Sequence, residues 1–350
     1  MRRHPFRSTL IATLAMLAQP VHSQVQAGQT PFNRPASDIG QVALGSLLPA
    51  TVPYTLSGGL IVIKASIGEG PQYNAALATS LPICIATPPL VSSQTLKANG
   101  TKDLPTIAGP VTAANLDPLV IHMGRLVLSG VPFGACDLLG AISKRGLTDG
   151  PAIWIGASAL ASVVTTIDPE RKLVTFSAPS TPIPTSAIKV PFEVRDGRMY
   201  VKAKFGDKKE VDCLVDTTSS GTMLPIEVGK SLGLTPLATL ETRDKANKPV
   251  KVAAVEVQQV SLGGAKMNDI QAIYVSEGDD IRSEPSVGIL GSEALTKYRV
   301  TIHYGLRTLA FEPIKSAQAM PYVPSQPNAV TNGPFTGPFP SVSRPIPKKP

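Results

Sequence analysis

Short apolar runs alternate with polar residues along most of the chain, which is the pattern of half-buried β-strands. Residues 301–311 alternate in this way on both sides of Gly305, and this predicts a hairpin. Residues 255–264 and 270–275 show the same pattern, and residues 125–130 match one arm of it. The pattern therefore predicts a mainly β protein with one or two short helices in each half.

An internal repeat divides the chain into two similar halves. Residues 152–176 and 287–311 share the order apolar strand, glycine, short helix and hairpin. Four pairs of positions are each separated by 135 residues: Gly156 and Gly291, Leu160 and Leu295, Ile167 and Ile302, and Phe176 and Phe311. A single offset over four positions indicates a duplicated lobe. We expect both lobes to adopt one fold and to be related by a pseudo-twofold axis.

Proline content marks the segments outside the lobes. Residues 179–187 hold three prolines and residues 317–350 hold nine, which is typical of linkers and of chain that does not fold alone. The predicted organisation is a signal peptide (1–23), an N-terminal arm (24–50), a first lobe (51–178), a linker (179–187), a second lobe (188–314) and a Pro-rich disordered tail (315–350).

The first 23 residues have the features of a secretory signal peptide. The chain starts with a basic segment, continues through an apolar run at residues 10–18, and reaches small residues at Val21 and Ser23. The run is too short to span a bilayer, and no later stretch is long and apolar enough to do so. We expect removal of residues 1–23 and an exported protein, either periplasmic or secreted.

Charge and composition exclude several classes of function. The formal net charge is +8, but the segments 1–23 and 317–350 contribute six basic and no acidic residues, which leaves 27 basic against 25 acidic residues between them. A nearly neutral folded region lacks the basic surface that nucleic acid requires. The three cysteines have no spacing typical of a zinc site, so we expect no metal and no cofactor. A disulfide between Cys84 and Cys136 stays open.

Histidine chemistry is also disfavoured. The chain has four histidines, two of them in the predicted signal peptide, and His303 aligns with Asp168 at the end of a repeated hairpin. That correspondence indicates a structural position. Carboxylates and hydroxyls are therefore the candidates for chemistry.

The second lobe contains an apolar strand that ends in a carboxylate. Residues 211–215 lead into Asp216-Thr217-Thr218, a Leu-Gly-Leu helix end follows at residues 232–234, and a strand at residues 289–291 ends in glycine. This order of elements, over about residues 190–313, closely resembles one lobe of a retropepsin-like aspartic protease. The resemblance implies a mainly β fold of two tandem retropepsin/pepsin-like acid-protease lobes.

The resemblance also implies a site. In that family two lobes each supply one aspartate, one acting as base on a water and the other as proton donor. Asp216 takes the catalytic position, Thr217 ties the two turns together, and Thr218 stands where the family has glycine. In the first lobe residues 82–90 match residues 212–220 best, so we expect Ala86 at the position of the partner acid.

Three functions follow from these observations. The chain is an aspartic endopeptidase, which could pair the second lobes (188–314) of two chains to bring two copies of Asp216 together. Alternatively it is a pseudo-protease that binds an extended peptide without cutting it, or a structural adaptor that uses its Pro-rich tail. The first two share a peptide or protein ligand and the same site residues: Asp216, Thr217 and Thr218.

Overall fold

The computed structural model describes residues 43–44, 48–106, 109–138, 150–207, 210–243, 248–278 and 284–315. The predicted signal peptide and nearly all of the predicted arm and tail lie outside these residues. None of the described helices is long and apolar enough to cross a membrane.

In the described residues, the first half of the chain consists of short strands and two short helices. Their bounds are β1 (Ala43–Leu44), β2 (Ala50–Pro53), β3 (Thr55–Ser57), β4 (Leu60–Ile67), β5 (Tyr73–Leu77), β6 (Cys84–Ala86), α1 (Pro88–Ser93), β7 (Ala98–Thr106), β8 (Gly109–Leu116), β9 (Leu119–Met123), β10 (Leu126–Val131), β11 (Phe133–Ala135), β12 (Ile153–Ile155), α2 (Ala157–Leu160), β13 (Val164–Asp168) and β14 (Leu173–Ser177).

The second half repeats this order with longer hairpins. Its elements are β15 (Ile188–Pro191), β16 (Glu193–Arg195), β17 (Arg198–Phe205), β18 (Val211–Val215), β19 (Thr222–Met223), α3 (Ile226–Ser231), β20 (Ala238–Arg243), β21 (Pro249–Leu262), β22 (Ala265–Glu277), β23 (Gly288–Leu290), α4 (Ser292–Leu295), β24 (Tyr298–His303) and β25 (Thr308–Pro313). The mainly β fold predicted from the alternating pattern is confirmed.

The strands form three sheets, of which one is shared by the two lobes. The first lobe has the order β1-β10-β9-β4-β5-β12-β6-β11-β8-β7, with β3 paired to β4. The second lobe has the order β16-β17-β18-β23-β19-β22-β21-β20. The shared sheet, β15-β25-β24-β13-β14-β2, takes three strands from each lobe and so holds the lobes together.

The shared sheet reveals the symmetry of the molecule. Strands β13 and β24 pair antiparallel, and Thr166 lies opposite Thr301, the residue 135 positions later. A residue that pairs with its own repeat mate lies on the axis that relates the two repeats. The predicted pseudo-twofold axis therefore passes between these two threonines.

The apolar core is continuous across the two lobes. Phe176 on β14 and Phe311 on β25 are symmetry mates, and both are fully buried. They belong to one cluster that also includes Phe133 of the first lobe and Phe205 of the second. Burying a side chain of this size contributes about 2 to 3 kcal/mol. The lobes consequently share a core as well as a sheet, which fixes the position of each lobe's turn relative to the other.

Candidate active site

Two turns, one from each lobe, define the candidate site. In the second lobe β18 ends at Val215 and is followed by the second turn, residues 216–218. In the first lobe β5 ends at Leu77 and is followed by the first turn, residues 78–80. Leu77 pairs in parallel with Ile155 of β12, as Val215 pairs in parallel with Leu290 of β23. The two turns therefore occupy equivalent positions in the two lobes.

Ala78 is the residue equivalent to Asp216. The backbone N–H of Ala78 donates to the carbonyl of Ile155 at 2.9 Å, and the N–H of Asp216 donates to the carbonyl of Leu290 at the same distance. The position of the partner acid in the first lobe is thus occupied by a methyl group, and both Ala78 and Asp216 are fully buried.

The expectation that Ala86 stands opposite Asp216 is wrong. Ala86 ends β6, which pairs in parallel with β11, as β19 of the second lobe pairs in parallel with β22. The next residue, Thr87, precedes α1 as Pro225 precedes α3. Ala86 therefore corresponds to Leu224, eight residues beyond Asp216. The first lobe does lack the partner acid, but at Ala78.

Thr79 and Thr217 join the two turns through a reciprocal set of hydrogen bonds, which we call the threonine pair. The hydroxyl of Thr79 donates to the carbonyl of Val215 at 2.7 Å, and that of Thr217 donates to the carbonyl of Leu77 at 2.6 Å. Each hydroxyl oxygen accepts the backbone N–H of the other threonine, at 3.1 and 3.2 Å. The predicted tie at Thr217 is present, and its partner is Thr79 of the same chain.

The threonine pair bears on the predicted pairing of two chains. Both the hydroxyl and the N–H of Thr217 are engaged by the first lobe of the same chain. Pairing the second lobes of two chains through this turn would require the first lobe to leave its place and would break the shared sheet.

The carboxylate of Asp216 is held through one of its oxygens. Oδ1 accepts the hydroxyl of Ser80 at 2.7 Å, the backbone N–H of Thr218 at 2.8 Å and the hydroxyl of Thr218 at 2.5 Å. Oδ2 is buried and has no hydrogen-bond partner among the described residues. One acceptor oxygen therefore has three donors, and the other has none among the residues that the structure describes.

Burial dominates the ionisation of Asp216. Removal from water raises the pKa of its carboxyl above the ordinary value, because the charged form loses hydration. Hydrogen bonds from Thr218, Ser80 and the backbone N–H groups of Thr218 and Ser219 act in the opposite direction. The donors on Oδ1 thus offset part of the cost of burying the charge.

Thr218 contributes to the site despite its bulk. The family has glycine at this position, and a β-branched side chain adds bulk and restricts the backbone angles. The φ angle of Thr218 is not positive, so its backbone lies outside the left-handed region that favours glycine. Its side chain also adds a donor that glycine lacks.

The glycine after β23 lets helix α4 approach the second turn. A Cβ on Gly291 would lie 2.4 Å from the carbonyl oxygen of Gly221, a distance that no side chain tolerates. Just beyond it, the N–H of Ser292 donates to the carbonyl of Ser219 at 2.8 Å. The strand predicted at residues 289–291 is therefore present as β23 (Gly288–Leu290).

A first-lobe hairpin also touches the second turn. The hydroxyl of Ser292 donates to the carbonyl of Gly59, which lies between β3 and β4. A Cβ on Gly59 would lie 2.2 Å from the Cβ of Ser220. The first lobe thus contacts the Asp216 region both through its turn and through this hairpin.

His303 lies outside the site, as the sequence predicts. It ends β24, where its Nδ1 accepts the backbone N–H of Leu306 at 3.2 Å. Its symmetry mate Asp168 accepts the N–H of Arg171 in the same way at 3.0 Å. Both side chains close the turn of a hairpin.

The three cysteines have structural positions. Cys84, Cys136 and Cys213 are all buried, and no disulfide joins them. Cys84 and Cys213 do not lie on equivalent strands, because Cys84 begins β6 whereas Cys213 lies in β18, the counterpart of β5. In the described part of the chain no group of three or more His, Cys, Asp or Glu side chains is placed to hold a metal ion.

Comparison with known proteins agrees with this geometry. A family described as aspartyl protease matches residues 201–294, which include β18, the second turn and α4. The chain has no significant sequence match among curated proteins. This match supports the resemblance of the second lobe to retropepsin-like aspartic proteases.

Among solved structures, the aspartic proteinase from Irpex lacteus is similar over both lobes. The TM-score is 0.50 at 13% identity, over 78% of this chain and 99% of that chain. At this identity the likeness shows the fold alone.

Sequence analysis of this retropepsin-like chain missed Ala78, Thr79 and Ser80. The signal was present, because Ala-Thr follows an apolar run twice in the first lobe, at Ala78 and at Ala86. The match of residues 82–90 with residues 212–220 selected the wrong copy. The copy at Ala78 is followed by the hydroxyl residue Ser80, as Asp216 and Thr217 are followed by Thr218. This feature distinguishes it from the copy at Ala86.

Proposed function

We propose that the chain is a pseudo-protease, which binds an extended peptide at the two turns and does not cleave it. One observation carries this proposal: Ala78 occupies the position that is equivalent to Asp216. Hydrolysis in this family needs one carboxylate as base and a second as proton donor. A methyl group can supply neither.

The hydroxyls near Asp216 do not replace the missing acid. Ser80 and Thr218 both donate to Oδ1 of Asp216, so their protons are already engaged. Alcohols are also far weaker acids than a carboxylic acid, and a catalytic group works best with a pKa near the operating pH. The site therefore holds a base without a matching acid.

A peptide ligand is supported by the family of the second lobe. Oδ2 of Asp216 is a buried acceptor without a partner in the described residues, and an amide N–H of a bound peptide would complete it. A buried polar atom left unpaired costs about 1 to 3 kcal/mol, which a donor on the ligand would recover.

Peptide capture tests this proposal. The full mature chain is immobilised and exposed to a library of unstructured peptides, and retained peptides are identified by their masses. We expect intact peptides to be retained, with affinity reduced about tenfold or more in Asp216→Asn, because a charged acceptor is lost. Asp212→Asn is the matched control, since this carboxylate lies on the same strand but pairs with Lys202 and Arg195. Failure to retain any peptide would contradict the proposal.

A second candidate is an endopeptidase that works slowly with Asp216 alone. The intact second turn favours it, as does the raised pKa of Asp216, which brings the carboxyl closer to the range of a general base. Peptide fragments that appear with the unaltered protein and are absent with Asp216→Asn would support this candidate over the first.

We also propose that the protein acts outside the cytoplasm. The support is the basic start, apolar run and small residues of segment 1–23. N-terminal sequencing of the protein from an envelope or culture fraction should start at Gln24. An intact Met1 in that fraction would contradict export by this route.

A further inference from the structure

The first turn has no carboxylate, but it contributes a serine hydroxyl to the site. Ser80 is 5% exposed and its hydroxyl lies 2.7 Å from Oδ1 of Asp216, across the boundary between the lobes. Its symmetry mate Thr218 donates to the same oxygen from within the second lobe. Ser80 and Thr218, at equivalent positions of the two turns, therefore both donate to the carboxylate of Asp216. The residue equivalent to Asp216 in the first turn is Ala78, which has no carboxylate to accept such bonds.

We propose that Ser80 is a positioning residue for Asp216: its hydroxyl holds the carboxylate in its ionised form and in one orientation, with Oδ2 left for the ligand. This role rests on the proposed function only in taking Asp216 as the group that meets the ligand. The first lobe therefore influences the ionisation and orientation of Asp216, although its own turn supplies no carboxylate.

Hydrogen bonds are the interactions that favour the ionised form of this carboxylate against the effect of burial. No salt bridge of a described residue involves Asp216, and the groups facing it from the two turns are the hydroxyls of Ser80 and Thr218 and the N–H groups of Thr218 and Ser219. A hydrogen bond to a charged group in a buried site is stronger than one between neutral groups. Loss of a single donor should therefore change the ionisation measurably.

A carbon-13 titration of the Asp216 carboxyl tests the role of Ser80. The full chain is labelled at aspartate carboxyl carbons, and Asp216→Asn identifies the signal. We expect Ser80→Ala to increase the ratio of protonated to ionised Asp216 about tenfold at a given pH within the titration. Ser80→Thr, which keeps a hydroxyl, should restore the profile. Ser80→Cys, a weaker donor, should give a smaller change in the same direction and serves if Ser80→Ala does not fold.

Ser158→Ala is the matched control. Its hydroxyl is equally buried in the first lobe, but it bonds to the N–H of Cys84 and the carbonyl of Pro132. We expect this variant to leave the Asp216 titration in place. An unchanged titration in Ser80→Ala and Ser80→Cys, or an equal change in Ser158→Ala, would overturn the proposal. Because the titration uses the protein without peptide, it can fail while peptide capture succeeds, and the reverse.

Discussion

Ala78 is the symmetry mate of Asp216: each directly follows the strand that leads into its turn, and each donates its N–H to the adjacent parallel strand at 2.9 Å. The surrounding framework is symmetric, since the threonine pair bonds in both directions. The asymmetry is confined to the chemistry at the two turns. Both turns therefore have the supporting hydrogen bonds, whereas only the second turn has a carboxylate.

The threonine pair should stabilise the two lobes equally from either side. Thr79→Val and Thr217→Val each remove a donated and an accepted hydrogen bond and leave buried backbone groups of the opposite turn unpaired. We expect each to lower the free energy of unfolding by about 3 kcal/mol in urea titrations.

Thr175→Val is the control for the threonine pair. Its hydroxyl lies 3.0 Å from that of Thr51 in an exposed part of the shared sheet, so its loss should cost much less. Markedly unequal losses in Thr79→Val and Thr217→Val would contradict the reciprocal arrangement.

The hairpin at Gly59 should be intolerant of any side chain. Gly58 and Gly59 both have positive φ, so alanine strains the backbone at either position, but a Cβ on Gly58 meets nothing within 4 Å. We expect Gly59→Ala to lower the free energy of unfolding by roughly 2 kcal/mol more than Gly58→Ala, because Ser220 must move. Thermal and urea unfolding of the two variants measure this difference, and equal costs would show that the hairpin does not press on the second turn.

Glu293 should make the protein less stable as the pH rises to neutral. Burial raises the pKa of Glu293 to about 7, from 4.5, despite Lys297 and the backbone N–H of Gln271. The stability it contributes is present below about pH 4.5 and is lost as the pH rises through about 7, because the unfolded carboxyl ionises first. In unfolding titrations at several pH values, Glu293→Gln should gain stability relative to the unaltered protein over this interval.

Exposed Glu227, on α3, provides the control for Glu293. Glu227→Gln measures what the loss of an exposed carboxyl group does to unfolding, and the effect of Glu293→Gln should exceed it. If Glu293→Gln and the unaltered protein keep a constant difference in stability from acid to neutral pH, the predicted ionisation of Glu293 is wrong.

The repeat was visible in the sequence, but its alignment held for only part of each lobe. From Gly156 onward one offset of 135 residues relates the lobes, and the glycines, helices and shared-sheet strands follow it. At the two turns the offset is 138, as Thr79 and Thr217 show. The two lobes differ in the number of residues between the turn and the terminal hairpin. An offset measured at the hairpin therefore does not align the residues of the turn.

The position of the missing acid depended on strand pairing, which apolar patterns do not encode. Ala78-Thr79 and Ala86-Thr87 both follow apolar residues, and both read locally as the end of a strand. The parallel pairing of β5 with β12 identifies the first as the turn. Asp216 itself was predictable, because an acid in a Thr/Ser-rich turn after an apolar strand is locally distinctive.

Restoring the acid should restore some catalysis. Ala78→Asp would place a second carboxylate beside Asp216, where the two would share a proton. We expect this variant to gain slow peptide cleavage that pepstatin inhibits. Ala86→Asp is the matched control, because Ala86 is equally buried but lies outside the turn. Cleavage by Ala86→Asp, with none by a folded Ala78→Asp, would show that Ala86, and not Ala78, is equivalent to Asp216.

The most direct measurement is cleavage of a peptide library by the unaltered mature chain at acid and neutral pH, with products read by mass spectrometry and Asp216→Asn measured beside it. If the site holds one acid without a partner, the unaltered protein yields no fragments beyond those of Asp216→Asn at either pH. Fragments that the unaltered protein produces and Asp216→Asn does not would show that Asp216 hydrolyses peptides without a second carboxylate, and would contradict the assignment as a pseudo-protease.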